Sequence, residues 1–294
     1  MQITQILVWA QTSQQTMVWK TLNISFTYKH TNVDHSLFIK IINSKTTVLL
    51  IYVDDIVLVE DDLQEIRSTT TLLDQAFKIK DLGNLTYFLG LEVARNAKGI
   101  HLSQRKYAIN ILQETDMLAS TPVSTLMNFS KCNSTNNGDG LSDPTSYRRL
   151  IGKLIYLTNT RPDIMHVVHN LSQYVLALIS NNHQAALLVL RYLKQAPRLG
   201  LFLDANSDIK ITGFSYSNWV RCLDMRKSIT RFIIYLGQSP INWKSKKQCI
   251  VSHSSSEVEY RALASTTCEL QWILYVLQDL KIQHPQPALL FCDN

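Results

Sequence analysis

Cysteine is scarce and widely spaced in this 294-residue chain, and none of its five cysteines forms a CxxC pair. An odd count without close pairs excludes a disulfide framework and a zinc knuckle, and it is typical of a reducing compartment. Long hydrophobic runs are also lacking. The longest are only six residues, and one of them, Val48–Val53, stops at Asp54, whereas a bilayer-spanning helix needs about 20 apolar residues. The N-terminus shows no basic segment followed by a small-residue cleavage site. We therefore expect a soluble intracellular chain, in the cytoplasm or nucleus, without a membrane partner.

Acidic residues are outnumbered by basic ones, 23 to 29, which gives a formal net charge of +6 and a pI of about 9.0. A basic balance favours a polyanionic partner such as nucleic acid. Hydrophobic residues make up 46% of the chain and charged residues 18%, a composition that forms cores rather than a disordered segment. At about 150 residues per domain, the length predicts two domains.

Apolar patterning predicts strands and helices in two groups, separated by a polar stretch. Strands are predicted before it at 37–42, 47–53, 56–59 and 85–93, with helices at 62–78 and 104–116. The stretch 128–146 is rich in Asn, Ser, Thr, Gly and Asp and is predicted to be a linker. Helices are then predicted from 143, over 162–178 and over 183–195, followed by strands at 208–219, 229–237 and 240–252, a helix at 254–280 and a strand at 288–292. The last five elements form an α/β unit.

Two adjacent carboxylates, Asp54 and Asp55, separate two of the predicted strands. Hairpin turns prefer Asn-Gly or Asp-Gly because their residues need positive φ, so Asp-Asp is a poor choice for geometry alone. Like charges side by side repel, and a bound cation relieves that repulsion. The pattern leaves two interpretations open, a solvated hairpin tip and a Mg²⁺ site for phosphoryl transfer.

The segments around this pair resemble a known enzyme family. Tyr52–Asp55 (YVDD), with its apolar flanks, is similar to the catalytic hairpin of reverse transcriptases. Six further segments resemble the copia-type retrotransposon branch: DHSLFI at 34–39, KDLG at 80–83, YFLGLEV at 87–93, LSQRKY at 102–107, DPTSYRRLIG at 143–152 and TRPDI at 160–164. The resemblance runs from residue 31 to the last residue, and earlier residues match only faintly.

This resemblance implies an α+β fold followed by an α/β fold, as part of a Pol polyprotein that is truncated at both ends and degenerate. The implied parts are a partial reverse-transcriptase palm and thumb over 1–127, the linker over 128–146, a helical connection over 147–200 and a truncated ribonuclease H-like domain over 201–294. The resemblance also implies that Asp54 is a metal ligand, that Asp55 is secondary, and that Mg²⁺ or Mn²⁺ is the cofactor.

The third palm carboxylate, which the family supplies from an upstream strand, has no counterpart in the sequence. A two-metal site holds its ions about 3.5–4 Å apart and needs several carboxylates to do so. Adjacent strand residues point to opposite faces, so Asp54 and Asp55 cannot both clamp one ion. Asp34 is the only acid between Met1 and Val53, and it matches a non-catalytic family position, where a turn or capping role is expected. We expect the missing strand to lie upstream of this chain.

A second set of carboxylates lies in the C-terminal part. Glu257 fits a capping box with Ser254. Glu259 extends the apolar stripe of its helix, where a carboxylate is costly unless it is paired or metal-bound; a helix-dipole role is the alternative. Asp293 ends an apolar strand, a place where ligands gather in α/β sheets. The ribonuclease H resemblance implies that Glu259 and Asp293 are metal ligands and that Tyr216 replaces the first ligand, an aspartate. A phenol is a poor Mg²⁺ ligand at neutral pH.

One predicted strand places three lysines beside an aromatic ring: Trp243, Lys244, Lys246 and Lys247. Such a segment suits contact with a nucleic-acid backbone and stacking on a base. Equally, lysines on a strand edge discourage edge-to-edge pairing. His166 and His169 lack a third metal-binding partner in the sequence and are interpreted as ordinary helix residues.

From the sequence we therefore predict a degenerate copia-type Pol fragment that catalyses nothing unaided and binds RNA–DNA hybrid weakly. One alternative is residual RNA-directed DNA polymerase activity at Asp54 and Asp55, with the missing palm segment supplied by another polyprotein fragment. Another is a non-catalytic nucleic-acid-binding module. The last is a chain that does not fold stably, because an incomplete palm leaves sheet edges uncovered.

Overall fold

The computed structural model of the protein describes residues 4–9, 28–42, 45–52, 55–60, 62–77, 79–126, 144–175, 180–218 and 227–292. They divide into two compact units, which are described separately. The first unit comprises residues 1–89 and 269–285, and the second comprises residues 90–268 and 286–294. The fold is mixed α/β, with three small sheets among the described residues.

The sheet of the first unit is antiparallel and has the strand order β2-β3-β4-β5-β1-β6. Its strands are β1 (Thr4–Trp9), β2 (Lys29–His30), β3 (Leu37–Ile42), β4 (Lys45–Tyr52), β5 (Asp55–Glu60) and β6 (Lys80–Asn84). The sequence predicts the meander of β3, β4 and β5 from its apolar runs. It does not predict β1, because that segment shows no clear period.

Helix α1 (Leu63–Phe77) covers this sheet. It begins after Asp62, whose Oδ1 accepts a hydrogen bond from the Gln64 N–H at 2.9 Å, the usual contact of an N-cap residue. Burying its apolar stripe on the sheet stabilises the helix far more than its intrinsic propensity does. The shared core consists of Tyr28, Phe38, Leu49, Ile51, Ile56, Leu58, Ile66, Leu73 and Ile79.

The continuous strand predicted over 85–93 is wrong. The structure has β7 (Tyr87–Phe88) and β8 (Leu91–Asn96) on either side of Leu89 and Gly90. Both of these residues have positive φ, 47° and 77°, a conformation that interrupts an extended strand. The apolar run conceals this turn, because leucine is not a turn-forming residue.

Four helices in the described part of the second unit share one hydrophobic core: α2 (Arg105–Glu114), α3 (Pro144–Leu157), α4 (Pro162–Ser172) and α5 (Ser180–Gln195). Proline suits the first turn of α3 and α4, since its missing N–H has no partner there in any helix. The buried Tyr147 of α3 donates its hydroxyl to the Leu171 carbonyl of α4 at 3.0 Å. In the last turns of α3, Ile155 is 47% exposed, whereas Leu157 is buried.

The second unit contains two groups of paired strands. In the first, β8, β9 (Gly99–Ser103) and β10 (Leu201–Asp204) pair in antiparallel fashion. The second sheet has the order β13-β12-β11-β14, in which β14 is parallel to β11 and the other pairs are antiparallel. Its strands are β11 (Ile211–Asn218), β12 (Ile229–Leu236), β13 (Ser239–Lys247) and β14 (Leu289–Cys292). Helix α6 (Ser255–Asp279) connects β13 to β14, and its residues from Glu269 onward belong to the first unit. This second group follows the predicted pattern, whereas β9 and β10 were not predicted.

Candidate functional site

The predicted carboxylate hairpin joins two strands that the structure describes. Strand β4 ends at Tyr52 and β5 begins at Asp55, and these two residues are cross-strand partners. Asp55 is half-buried in the strand, whereas the apolar pattern places it in the turn. Asp54 lies outside the described residues. Its role as a metal ligand, and the secondary role of Asp55, therefore remain predictions.

Strand β1 lies directly beside β5, with Trp9 as the cross-strand partner of Asp55 and Thr4 as the partner of Glu60. The six residues of β1, TQILVW, include no acid, so this neighbour adds no carboxylate ligand. Within the described ranges, no group of three or more His, Cys, Asp or Glu residues is arranged to hold a metal ion. The donors described around this hairpin thus do not fit a two-metal site, which needs several carboxylates.

An acidic cluster that the sequence did not predict lies at the opposite end of β5. The buried Glu60 accepts hydrogen bonds from the Thr47 hydroxyl and the Asp62 N–H. Nearby, Lys40 forms an ion pair with Glu65. Burial raises the pKa of the Tyr28 phenol to about 12, and the charges of Glu65 and Glu60 add to this effect. These hydrogen bonds satisfy a buried carboxylate, so the cluster has a structural role.

In the second unit, β11 and β14 lie side by side, with Ser215 opposite Cys292. This register places the end of β14 beside Ser215, three residues before β11 ends at Asn218. Asp293, the next residue of the chain, lies outside the described residues. Ser215 is buried and contacts Thr266 of helix α6, whose Oγ1 lies 3.0 Å from the serine Oγ.

Tyr216 points to the opposite face of the sheet from Ser215, because neighbouring strand residues alternate. Its cross-strand partner is Arg231, and the guanidinium carbon lies 5.5 Å from the centre of the tyrosine ring. The ring is 39% exposed. A cation–π contact therefore occupies the position at which the family resemblance implies an aspartate ligand.

The N-terminus of helix α6 has both hydrogen bonds of the predicted capping box, but one of them comes from the residue before the expected donor. The Glu257 N–H donates to the Ser254 Oγ at 3.2 Å, and the Glu257 carboxylate accepts from the N–H of His253 at 2.8 Å, rather than from that of Ser254. The hydrogen bond from His253 and those from Arg261 lower the pKa of Glu257. Glu257 is thus engaged as a cap.

Glu259 is half-buried at the margin of the stripe that α6 presents to the sheet. Within the second unit, the buried members of that stripe lie four residues apart: Val258, Ala262 and Thr266. This position agrees with the predicted extension of the stripe. The proposed role of Glu259 as a metal ligand remains a prediction.

The basic strand segment is divided between the two faces of β13. Trp243 donates its indole N–H to the Thr158 carbonyl at 2.9 Å and is half-buried. Lys244 and Lys246 lie on the other face and are exposed, and Lys247 is half-buried at the strand end. The side chain of Trp243 therefore packs against the rest of the protein, and the lysines form the part of the segment that contacts solvent.

The two histidines of α4 pack beside this sheet, which the sequence did not predict. His166 Nε2 lies 2.9 Å from Nη2 of Arg231 and 3.3 Å from Nδ2 of Asn170. Burial, followed by the charges of Lys247 and Arg231, lowers the pKa of His169. The sequence gives no signal of this arrangement, because Lys247 and Arg231 lie on strands that are distant from α4 in the chain.

None of the helices in the described part of the chain is long and apolar enough to cross a membrane. Residues 7–128 match the profile of the family described as Reverse transcriptase (RNA-dependent DNA polymerase). The chain is 41% identical over 261 residues to the retrovirus-related Pol polyprotein from transposon RE2 of Arabidopsis thaliana, which covers 89% of this chain and 18% of that polyprotein. It is 31% identical over 280 residues to the retrovirus-related Pol polyprotein from transposon TNT 1-94 of Nicotiana tabacum. That alignment covers 92% of this chain and 21% of that polyprotein.

A shorter relative also matches. The chain is 39% identical over 224 residues to an uncharacterized mitochondrial protein of Arabidopsis thaliana, and the alignment covers 76% of this chain and 93% of that protein. The chain thus spans 18% and 21% of the two transposon polyproteins and most of the mitochondrial protein.

Proposed function

Because this chain belongs to the copia-type retrotransposon Pol polyproteins, in their reverse-transcriptase region, we propose that it is a non-catalytic relic that binds RNA–DNA hybrid. The observation that carries the proposal is the contact between Tyr216 and Arg231, at 5.5 Å. This contact supports the proposal because a cation lies beside the position at which the ribonuclease H resemblance implies a carboxylate.

The proposed division of the chain is a partial palm and thumb over 1–127, a linker over 128–146, a helical connection over 147–200 and a ribonuclease H-like domain over 201–294. The strand order β13-β12-β11-β14, with β14 parallel to β11, supports the last assignment. Most of the linker lies outside the described residues, and helix α3 already begins at Pro144.

Loss of ribonuclease H activity follows from the donors that are present. A guanidinium stays protonated at neutral pH, so Arg231 repels a divalent cation from the position of Tyr216. Mg²⁺ prefers near-octahedral oxygen ligands, and the phenol is a poor substitute for a carboxylate. The described residues therefore do not fit the Mg²⁺ or Mn²⁺ that the family implies, and no metal-dependent step is assigned to them.

An RNA-cleavage assay on RNA–DNA hybrid tests this proposal, with Mg²⁺ and with Mn²⁺. We expect no cleavage by the natural chain. Cleavage that disappears in Glu259→Gln but persists in Glu257→Gln would overturn the proposal. The two variants remove the same charge from positions two residues apart near the start of α6, and only Glu259 has a proposed ligand role.

Residual RNA-directed DNA polymerase activity is the second candidate, and the preserved pairing of Tyr52 with Asp55 favours it. It requires a further carboxylate from another Pol fragment. Primer extension with and without an added upstream palm segment tests it. We expect no extension by the chain alone. Extension that Asp54→Asn abolishes and Asp34→Asn leaves intact would establish polymerase activity.

Nucleic-acid binding is proposed to depend on Lys244, Lys246 and Lys247. Each released counterion lowers the logarithm of the affinity by about 0.9 per tenfold rise in salt. We expect the triple Lys→Ala variant to bind a labelled RNA–DNA duplex more weakly and with a smaller salt slope. The charge-matched control replaces three exposed cations elsewhere: Lys98, Arg149 and Arg198. Absent or salt-insensitive binding by the natural chain would refute this function.

A further inference from the structure

The exposed lysines of β13 share a face with two buried residues of the neighbouring strand. Lys244 is the cross-strand partner of Phe232, and Lys246 is the partner of Thr230. Phe232 and Thr230 are 3% and 8% exposed, because helix α6 covers this face of the sheet. The lysine side chains therefore start from the edge of the covered face and reach toward the helix.

Helix α6 completes a cleft beside these lysines. A cavity of ≈ 260 Å³ lies between the strand and the helix, and α6 lines it with Arg261 and Ser265. At about 30 Å³ per water molecule, this volume has room for a hydrated anion of several heavy atoms. The two helix residues lie one turn apart on one face, which the sequence pattern did not mark as functional.

Gln248 holds the two walls of the cleft together. Its side-chain amide Nε2 donates to Thr230 Oγ1 at 3.0 Å on the sheet and to the Val258 carbonyl at 3.1 Å on the helix. Its backbone N–H donates to the Ser228 carbonyl at 2.8 Å. Because these contacts span the strand and the helix, the cleft is formed before any ligand enters.

The charge of the cleft has one sign. Its described lining includes no carboxylate residue, and its cationic side chains on the α6 face are Lys244, Lys246 and Arg261, while Lys247 lines the strand end. Glu257 lies next to the cleft and accepts two hydrogen bonds from Arg261, from Nε at 3.0 Å and from Nη2 at 2.8 Å. This contact orients the guanidinium. Arginine and lysine with a hydroxyl donor are the groups that bind phosphate oxygens.

We infer that this cleft between β13 and α6 binds a single phosphate group of a nucleic-acid backbone. The inference rests on the proposed nucleic-acid binding and specifies its mode. Trp243 lies on the other face of β13 with its N–H bonded to Thr158, so it offers no ring to a base here. Recognition is of phosphate, and it is independent of base sequence.

Two variants of α6 distinguish binding in the cleft from general electrostatic attraction to the protein. Ser265→Glu puts a negative charge at the cleft, and Thr267→Glu puts the same charge on an exposed position two residues away, which points to a different side of the helix. We expect Ser265→Glu to weaken binding of an RNA–DNA duplex by about tenfold or more, because like charge opposes the phosphate. We expect Thr267→Glu to stay within about twofold of the natural chain.

Inorganic phosphate provides a second, direct probe on the natural chain. We expect saturable chemical-shift changes at the backbone amides of Gln248 and Ser265 in an NMR titration, beyond those caused by equal ionic strength of sodium chloride. Equal effects of the two Glu variants, with no phosphate-specific shifts, would overturn the cleft while leaving nucleic-acid binding intact. Phosphate-specific shifts in a chain that binds no duplex would keep the cleft and refute the proposed function.

Discussion

Arg161 donates hydrogen bonds from Nε and Nη2 to the two carboxylate oxygens of Asp163, at 2.9 and 2.7 Å, although its side chain is only 2% exposed. Its Nη1 donates to the Ala196 carbonyl at 3.1 Å, and the Tyr192 hydroxyl donates to Asp163 at 2.9 Å. This cluster joins the start of α4 to the end of α5. Burial alone would raise the pKa of Asp163, but the hydrogen bonds and charge of Arg161 outweigh burial and lower it.

Replacing Arg161 with alanine is expected to destabilise the protein by about 3 kcal/mol, since it leaves a carboxylate without its cation and a carbonyl without its donor. The midpoint of urea unfolding at pH 7 measures this loss. The exposed Arg149→Ala on α3 is the control and is expected to change stability by less than about 0.5 kcal/mol. A similar effect of both substitutions would show that the ion pair of the buried Arg161 contributes no net stability.

The same ion pair predicts an acid dependence. The pKa of Asp163 is lower in the folded than in the unfolded protein, so its contribution is fully present above the unfolded value of about 3.9 and is lost as pH falls through the folded value. The stability difference between the natural chain and Asp163→Asn is therefore expected to shrink below about pH 4. A difference that stays constant from pH 7 to pH 3 would contradict the lowered pKa.

A second pH effect is expected from His169. Its folded pKa is lowered, so the unfolded chain, with a histidine pKa of about 6.5, takes up a proton that the folded protein does not. The contribution of His169 to the free energy of unfolding is fully present above pH 6.5 and decreases as the pH drops below that value. The decrease is expected to be less than about 1 kcal/mol at pH 5.5, because a half-buried charge is screened. His169→Leu is expected to remove this part of the pH dependence, whereas the exposed His253→Leu retains it.

Trp243 is expected to act on stability and not on nucleic-acid binding. Trp243→Phe removes the hydrogen bond to the Thr158 carbonyl and is expected to cost about 1 kcal/mol, while duplex affinity stays within about twofold. Lys246→Ala is expected to show the reverse pattern, with weaker binding and unchanged stability. Thermal unfolding and fluorescence anisotropy on both variants measure the two effects. A large loss of affinity in Trp243→Phe would restore the base-stacking interpretation.

Two glycines with opposite surroundings give a paired test of the packing. A Cβ at Gly200 would collide with the backbone carbonyl oxygen of Leu102, whereas one at Gly152 meets no atom within 4 Å. Gly200→Ala is expected to destabilise by about 2 kcal/mol, because backbone must shift. Gly152→Ala, in helix α3, is expected to stabilise by about 0.5–1 kcal/mol. Urea unfolding of the two variants measures both changes in the free energy of unfolding. A Gly200→Ala variant that is more stable than the natural chain would contradict the pairing of β9 with β10.

The amino-acid sequence by itself determined the local elements and the family. The apolar run of Thr47–Val53 and the helical stripe of α6 predict their secondary structure, because both patterns are carried by residues that are neighbours in the chain. The motifs around Tyr52–Asp55 indicated the copia-type family, which the relatives confirm. The replacement of a metal ligand by Tyr216, which the ribonuclease H resemblance implies, stays a prediction.

The tertiary structure alone decided which distant residues meet. It placed β1 beside β5, Arg231 opposite Tyr216, and Arg261 across a cleft from the lysines of β13. It also gave Trp243 and Lys244 opposite surroundings within one strand, although adjacent residues share one sequence motif. Strand order and face depend on how apolar surface is buried over the whole chain. A local pattern cannot carry that information, because the same alternation fits either face of a sheet.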